Sequence, residues 1–84
     1  MKHKGGILLS ISSPESQVAG HMVSLVKLPG KSGEFTVLEG HAPLISELSE
    51  GDIEYVEGGE RKTVHIRSGF VEVVDDSVSA CVEI

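Results

Sequence analysis

The stretch FVEVVDDSVSACVEI, residues 70–84, decides the class of fold. It is the one segment without glycine or proline that is long enough for a helix of ordinary length, yet it is rich in valine, which is stiff at the first side-chain torsion. Its end alternates between two sets of residues: Val78, Ala80, Val82 and Ile84 against Ser79, Cys81 and Glu83. A period of two residues indicates a strand, and the segment therefore favours an all-β protein.

The same alternation occurs elsewhere in the chain. Near the start, three aliphatic residues alternate with serines: Ile7, Leu9 and Ile11. Val64 and Ile66 alternate with Thr63, His65 and Arg67 in the same way. Each run predicts a half-buried strand, with its aliphatic side chains in the core.

Turn signals separate these runs roughly every eight to twelve residues. Gly58 and Gly59 predict one hairpin turn, and Asp75 and Asp76 predict a second. Further turns are expected at Ser13-Pro14, at Pro29-Gly30, at Gly40 with Pro43, and at Gly51-Asp52. This spacing predicts a single antiparallel β-sandwich or flattened barrel of about eight to ten short strands. One domain is expected over residues 1–84, with residues 1–5 disordered before the first strand.

Composition restricts the classes of function. The chain has 84 residues and a net charge of −6, from thirteen acidic and seven scattered basic side chains, which disfavours nucleic acid as a partner. A domain of this size buries too little surface for a deep catalytic cleft. The acidity fits either a basic patch on a protein partner or solubility alone. The start, MKHKGGILLSISS, is neither a secretory signal nor a membrane span, so any membrane association is expected to pass through a partner.

Candidate chemical groups are few and far apart. The four histidines are His3, His21, His41 and His65, and none lies close in sequence to another metal ligand. No metal site is therefore predicted. Cys81 has no second cysteine to pair with, and we expect it to be a small core or strand residue. All three aspartates fall in predicted turns: Asp52, Asp75 and Asp76. The sequence contains no motif of a catalytic nucleophile. The sequence predicts no catalytic site and no cofactor.

The motif GHAPL, residues 40–44, predicts a rigid corner. Gly40 permits a backbone shape that is costly for other residues, and Pro43 pushes Ala42 into an extended conformation. The imidazole of His41 is expected first to satisfy backbone groups at this corner, and second to contact a partner. Catalysis by His41 with Glu34 ranks third, because no residue nearby in the sequence completes the chemistry.

The arrangement GEFTVLEGHAPLISELSEGDIEYV, residues 33–56, followed by VHIRSGFVEVVDDSVSACVEI, residues 64–84, resembles the N-terminal β-sandwich domain of the epsilon subunit of F-type ATP synthases. The resemblance covers nearly the whole chain, and its specific signal is the series GE, GHAPL and SGF at the family's spacing. Two residues depart from the family pattern: Thr36 stands where a glycine is usual, and Glu39 where a proline is usual. The loop between Glu34 and Gly40 is therefore expected to differ in shape.

The resemblance implies a non-catalytic central-stalk subunit of the proton-transporting ATP synthase, at the cytoplasmic face of the bacterial inner membrane. Such a subunit joins the gamma subunit to the ring of c subunits. Contacts with the c ring are implied at one end of the sandwich, at Glu34, Phe35, Glu39, His41 and Ala42, with Gly40 and Pro43 forming a structural turn. Gamma is expected to cover a larger and more apolar face whose residues the alternation does not assign. Family members commonly continue into an inhibitory two-helix hairpin, and a subunit without it is expected here.

Two other functions remain as alternatives. The first is a free-standing small β-sandwich that binds a protein outside the synthase, and it rests on the departures at Thr36 and Glu39. The second is a minimal enzyme that uses His41 and Glu34. For the isolated chain, self-association through the face that gamma would cover is also expected, because an uncovered apolar face favours pairing.

Overall fold

Two β-sheets form the part of the protein that the structure describes. The structure is a computed structural model that describes residues 6–15 and 17–84, so the expectation for residues 1–5 lies outside the described residues. The described residues contain nine strands: β1 Ile7–Ser12, β2 Gln17–Val23, β3 Leu25–Leu28, β4 Phe35–Val37, β5 Leu44–Leu48, β6 Gly51–Glu57, β7 Glu60–Ile66, β8 Ser68–Val74 and β9 Ser77–Glu83. One sheet has the order β2-β1-β9-β8-β5 and the other β4-β3-β6-β7. The all-β sandwich with about eight to ten strands is confirmed.

The predicted alternation places aliphatic side chains in the core between the two sheets. Every second residue of β1 and of β9 is buried: Ile7, Leu9 and Ile11, with Val78, Ala80 and Val82. Ile84 continues the alternation but follows the end of β9, and it is exposed. All buried side chains among the described residues are hydrophobic, and Tyr55 is the only aromatic one. The sandwich is therefore held by aliphatic packing, which suits strands rich in β-branched residues.

Both predicted hairpins are present, and both have two-residue turns in the left-handed region. Gly58 and Gly59 have φ of 59° and 81° between β6 and β7. Asp75 and Asp76 have φ of 49° and 60° between β8 and β9. Turns of this shape match the twist of the flanking strands, and glycine and aspartate are among the residues that tolerate positive φ.

One pairing departs from the predicted antiparallel arrangement. β1 pairs with β2 in the antiparallel sense, but it pairs with β9 in the parallel sense, with Leu9 opposite Val78. The first strand thus lies beside the last strand of the chain. Parallel neighbours need a long connection, and here the connection includes the whole second sheet. The remaining strand pairs are antiparallel.

Two turn and core predictions are corrected by the structure. Asp52 lies in β6 and not in a turn, because the break falls at Ser49 and Glu50 and Gly51 already begins the strand. A side chain at Gly51 would meet Pro29 at 2.9 Å, so this glycine serves close packing. Cys81 lies in a strand as predicted, but it is exposed on the outer side of β9 and does not belong to the core.

Backbone hydrogen bonds join the two sheets near the β3–β4 connection. Lys31 N–H donates to the carbonyl of Glu47 at 2.9 Å, and Ser49 N–H donates to the carbonyl of Pro29 at 2.8 Å. These bonds attach the end of β5, in the five-stranded sheet, to the loop that leaves β3 in the other sheet. The edges that carry β4 and β5 are therefore on the same side of the sandwich.

Candidate interaction surfaces

The residues implied to contact a c ring lie along one edge of the four-stranded sheet. β4 is the edge strand; Glu34 precedes it, Phe35 begins it, and Glu39, His41 and Ala42 follow it. Three extended residues span about 10 Å, so Glu34 and His41 lie at opposite ends of β4. The structure places the five residues along a shared edge, and their contact with a c ring stays a prediction. Phe35 is partly buried against the core.

This separation removes the geometric basis for an acid–base pair. A general acid or base must lie within hydrogen-bond reach of its partner, directly or through one water. The carboxylate of Glu34 lies 4.0 Å from Lys27 Nζ, whereas His41 Nδ1 lies 2.7 Å from the carbonyl oxygen of Ala42. Each group therefore has its own local partner, and the structure does not support the enzyme hypothesis.

The link between β4 and β5, residues 38–43, is called the corner loop. Gly40 has φ of +86°, a conformation that favours glycine, and a side chain there would meet nothing within 4 Å. His41 N–H donates to the carbonyl of Leu38 at 3.1 Å, and His41 Nδ1–H donates to the carbonyl of Ala42. The imidazole therefore satisfies a backbone carbonyl of this corner.

A hydrogen bond joins the corner loop to another turn of the fold. The backbone N–H of Gly40 donates to Asp76 Oδ1 at 2.7 Å, across 36 positions of sequence. Asp76 belongs to the two-residue turn between β8 and β9. The corner loop enters the five-stranded sheet at β5, and this bond also attaches the loop at Gly40 to the β8–β9 turn of that sheet.

The outer face of the five-stranded sheet carries most of the exposed large hydrophobic residues. We call this surface the apolar face; its large members are Leu8, Met22, Ile45, Phe70 and Val74. Ile45 is 76% exposed and Phe70 is 59% exposed, which is unusual for such side chains on a well-packed sandwich. The strand register brings three members of the apolar face near one another. Leu8 pairs with Met22 and with Ser77, and Ser77 pairs with Val74.

The part of the apolar face on β1 and β9 is low and uncharged. The outward residues of β1 and β9 between the larger side chains are small: Ser10, Ser12, Ser77, Ser79 and Cys81. Carboxylates occur on β8 and β5, where Glu72 lies opposite Ile45 and Glu47 lies opposite Phe70. Glu72 also lies between Phe70 and Val74 on β8, so the face is a shallow apolar surface with carboxylates among its large side chains.

The outer face of the four-stranded sheet has the opposite character. Lys27 Nζ lies 3.8 Å from Glu54 Oε1, and Glu54 also pairs with Arg61 on the neighbouring strand. His65 Nδ1 lies 2.8 Å from Asp52 Oδ1. These charged side chains are paired with one another across the sheet, and covering them would cost the desolvation of each pair. An apolar partner is therefore disfavoured on this face.

Two histidines form local pairs with carboxylates. His21 Nδ1 lies 3.1 Å from Glu57, and this contact and the Lys62 ammonium hold the pKa of the Glu57 carboxyl below its usual value. Asp52 and then Glu50 raise the pKa of His65 by hydrogen bonding to its ring. The described residues contain no cluster of three or more His, Cys, Asp or Glu that could hold a metal ion.

Within residues 6–15 and 17–84, no helix is long and apolar enough to cross a membrane.

The fold and its surfaces define a small β-sandwich with one apolar and one charged face. Residues 7–84 match the family model described as "ATP synthase, Delta/Epsilon chain, beta-sandwich domain". The chain belongs to this family, which confirms the resemblance drawn from GE, GHAPL and SGF.

Curated relatives carry the name of the epsilon chain. The ATP synthase epsilon chain of Koribacter versatilis (strain Ellin345) is 41% identical over 73 residues, which are 87% of this chain and 51% of that protein. The ATP synthase epsilon chain of Syntrophobacter fumaroxidans (strain DSM 10017 / MPOB) is also 41% identical over 73 residues, covering 87% and 54% of the two chains. The chain therefore spans about half the length of these relatives.

Solved structures share the fold at lower identity. A chain from the mitochondrial ATP synthase of Euglena gracilis, solved with OSCP, F1 and the c-ring, superposes with a TM-score of 0.88 at 24% identity, over 98% of this chain and 53% of that one. A chain from the central stalk and c-ring of the Tetrahymena thermophila mitochondrial ATP synthase has a TM-score of 0.81 at 14% identity, over 99% and 67%. At these identities the likeness shows the sandwich fold.

Sequence reasoning left the apolar face unassigned. The signal was present in FVEVV, residues 70–74, where Phe70 and Val74 are apolar on the side opposite to Val71 and Val73. A strand that is apolar on both sides is covered on both sides, and here the structure shows only one covering layer. That excess of apolar residues identifies the face.

Proposed function

We propose that the chain is a non-catalytic central-stalk subunit of a proton-transporting ATP synthase, and that its sandwich joins the gamma subunit to the c ring. Membership of the epsilon-chain sandwich family supports the assignment to the synthase. The observation that carries the coupling role is the apolar face, since large apolar side chains gathered on one face, such as Phe70, Ile45 and Leu8, mark an interaction site.

Gamma docks on the apolar face in this proposal. The centres of protein interfaces are depleted of charge and enriched in aromatic residues and methionine, and Phe70 and Met22 supply both on a surface of low relief. Glu47 on β5 and Glu72, which lies on β8 between Phe70 and Val74, suit basic groups of the partner. The charged outer face of the other sheet remains in water.

The c ring contacts the edge formed by Glu34, β4 and the corner loop. Glu34 is exposed beside Lys27, and Glu39 and Ala42 are exposed in the loop. Exposed charges of this kind set the rate and register of docking more than its strength. The contact is therefore weaker than the gamma contact and defines the angle at which the sandwich meets the ring.

The apolar face and the edge at β4 are different surfaces of the sandwich, joined by the corner loop that enters β5, and in this proposal both are occupied together. A packed core deforms little under load, so the sandwich can transmit torque between gamma and the ring without holding a catalytic group or cofactor. In this role the chain sits at the cytoplasmic face of the bacterial inner membrane, and it reaches the membrane only through the other synthase subunits.

Binding to gamma tests the proposal. The purified 84-residue chain is titrated with a gamma-containing stalk complex that lacks its own epsilon subunit. We expect Phe70→Lys on the apolar face to weaken binding by at least about tenfold, as for an aromatic residue at the centre of an interface. The matched control is Thr63→Lys, which places the same side chain at an exposed strand position opposite Glu54 on the other sheet.

Two results would count against the proposal. Failure of the unaltered chain to bind under conditions in which the other stalk subunits assemble contradicts the assignment to the stalk, and favours the alternative of a free-standing binding module. Equal binding by Phe70→Lys and the unaltered chain contradicts the assignment of the gamma contact to the apolar face.

A further inference from the structure

Few hydrogen bonds hold the corner loop to the rest of the protein. Residues 39, 40 and 42 are exposed, and Leu38 at the start of the loop is also exposed. The two bonds of His41, to the carbonyls of Leu38 and Ala42, stay inside the loop. Among the described hydrogen bonds of residues 39–42, the bond from Gly40 N–H to Asp76 Oδ1 is the one that leaves the loop.

Asp76 joins three separate parts of the fold. Its side chain accepts the Gly40 N–H at 2.7 Å, and its own carbonyl accepts the N–H of Leu8, in β1, at 2.9 Å. Its φ of +60° places it in the tight turn between β8 and β9, and β8 carries Phe70 and Val74 of the apolar face. A short bond from a backbone N–H to a carboxylate is stronger than one between neutral groups.

We infer that Asp76 is a positioning residue that fixes the corner loop to the five-stranded sheet, and thereby sets the c-ring contact at a defined position relative to the gamma contact. The second part of this inference rests on the proposed function. Gly40 takes part in the same contact. Its N–H is the donor to the carboxylate, and its φ of +86° favours glycine at this position.

Asp75 provides a matched control within the same turn. It also has a positive φ, of 49°, but it is exposed and its side chain makes no hydrogen bond to the described loop. Glycine adopts positive φ readily, so Asp75→Gly and Asp76→Gly both keep the hairpin turn. The two variants then differ in the loss of the acceptor for Gly40.

The first measurement is made on the isolated chain by NMR. In Asp76→Gly we expect the amide of Gly40 to exchange with solvent at least about tenfold faster, and to lose the downfield shift that a carboxylate acceptor causes. Asp75→Gly should leave both properties unchanged. Asp76→Asn should restore part of the protection, because the carboxamide oxygen still accepts a hydrogen bond. Equal behaviour of Asp75→Gly and Asp76→Gly overturns the inference.

The second measurement uses the synthase reconstituted with each variant. Asp76→Gly should bind gamma as tightly as the unaltered chain and should support less ATP synthesis at the same proton-motive force, whereas Asp75→Gly should match the unaltered chain. Full synthesis with Asp76→Gly, despite a released Gly40 amide, overturns the role of Asp76 in coupling. If the unaltered chain itself supports no coupling, the proposed function has failed, and the NMR result still decides whether Asp76 holds the loop.

Discussion

Gly69 is required by the close approach of β8 to β9. A side chain at this position would lie 2.5 Å from the carbonyl oxygen of Cys81 and 3.0 Å from the Cα of Val82. Both are backbone atoms, so the clash cannot be relieved by rotating a side chain. We expect Gly69→Ala to lower the free energy of unfolding by about 1–3 kcal/mol, as overpacking typically does.

Urea unfolding of Gly69→Ala measures this cost. The control is Gly20→Ala, at a strand position where the added carbon would lie 3.4 Å from the nearest atom, the carbonyl oxygen of Leu9. That variant should change stability by less than about 0.5 kcal/mol. Similar losses in the two variants would show that glycine matters at these positions for a reason other than space.

His65 should make stability depend on pH. Its pKa in the folded protein is raised above the ordinary value of 6.5, first by Asp52 and then by Glu50. The stabilisation from protonated His65 is therefore fully present below pH 6.5, and it is lost as pH rises through the folded-state pKa. We expect the stability difference between the unaltered chain and His65→Gln to shrink as pH increases.

Unfolding free energies measured between about pH 5 and pH 9 test this expectation. Asp52→Asn, which removes the negative charge of the first partner of the ring, should reduce the same pH dependence while His65 is retained. A difference that stays constant or grows with pH would contradict the assigned pairing.

Single residues were predictable where their partners are close in sequence. The local role of His41 follows from GHAPL, because the carbonyl that it binds belongs to the next residue. The bond between Gly40 and Asp76 spans 36 positions, and no local pattern indicates it. Cys81 was placed correctly in a strand, but its burial depended on which side of β9 faces the other sheet.

Strands and hairpins were the most predictable elements. Alternation identified β1, β7 and β9, and the two hairpin turns were identified by residues that tolerate positive φ. The parallel pairing of β1 with β9 was missed, because it joins the two ends of the described chain and has no local signal. Gly51 was misassigned to a turn, since close packing against Pro29 also requires glycine.

The faces of the two sheets predict how the isolated chain associates. With no partner present, we expect the apolar face to pair with that of a second copy, because pairing removes Phe70, Ile45 and Leu8 from water. Sedimentation equilibrium should show a concentration-dependent mass for the unaltered chain. Phe70→Lys should reduce this association and Thr63→Lys should not; equal association of both variants would place the contact elsewhere.

In the whole molecule, a continuous core lies between the apolar face of one sheet and the charged outer face of the other. Sequence motifs predicted the family and the corner at GHAPL, because those motifs are short and local. The apolar face is assembled from β1, β2, β5 and β8, and its extent depends on strand order, which the sequence alone does not show. The surface proposed to bind gamma was therefore visible only in the folded chain.

The most direct test of the central claim is proton-driven ATP synthesis by a synthase that lacks its own epsilon subunit, measured with and without the 84-residue chain. We predict that the chain restores coupled synthesis and that Phe70→Lys does not, whereas Thr63→Lys behaves as the unaltered chain. No change in synthesis or in ATP hydrolysis when the unaltered chain is added would contradict the account, because the family membership would then describe the fold and not a coupling role.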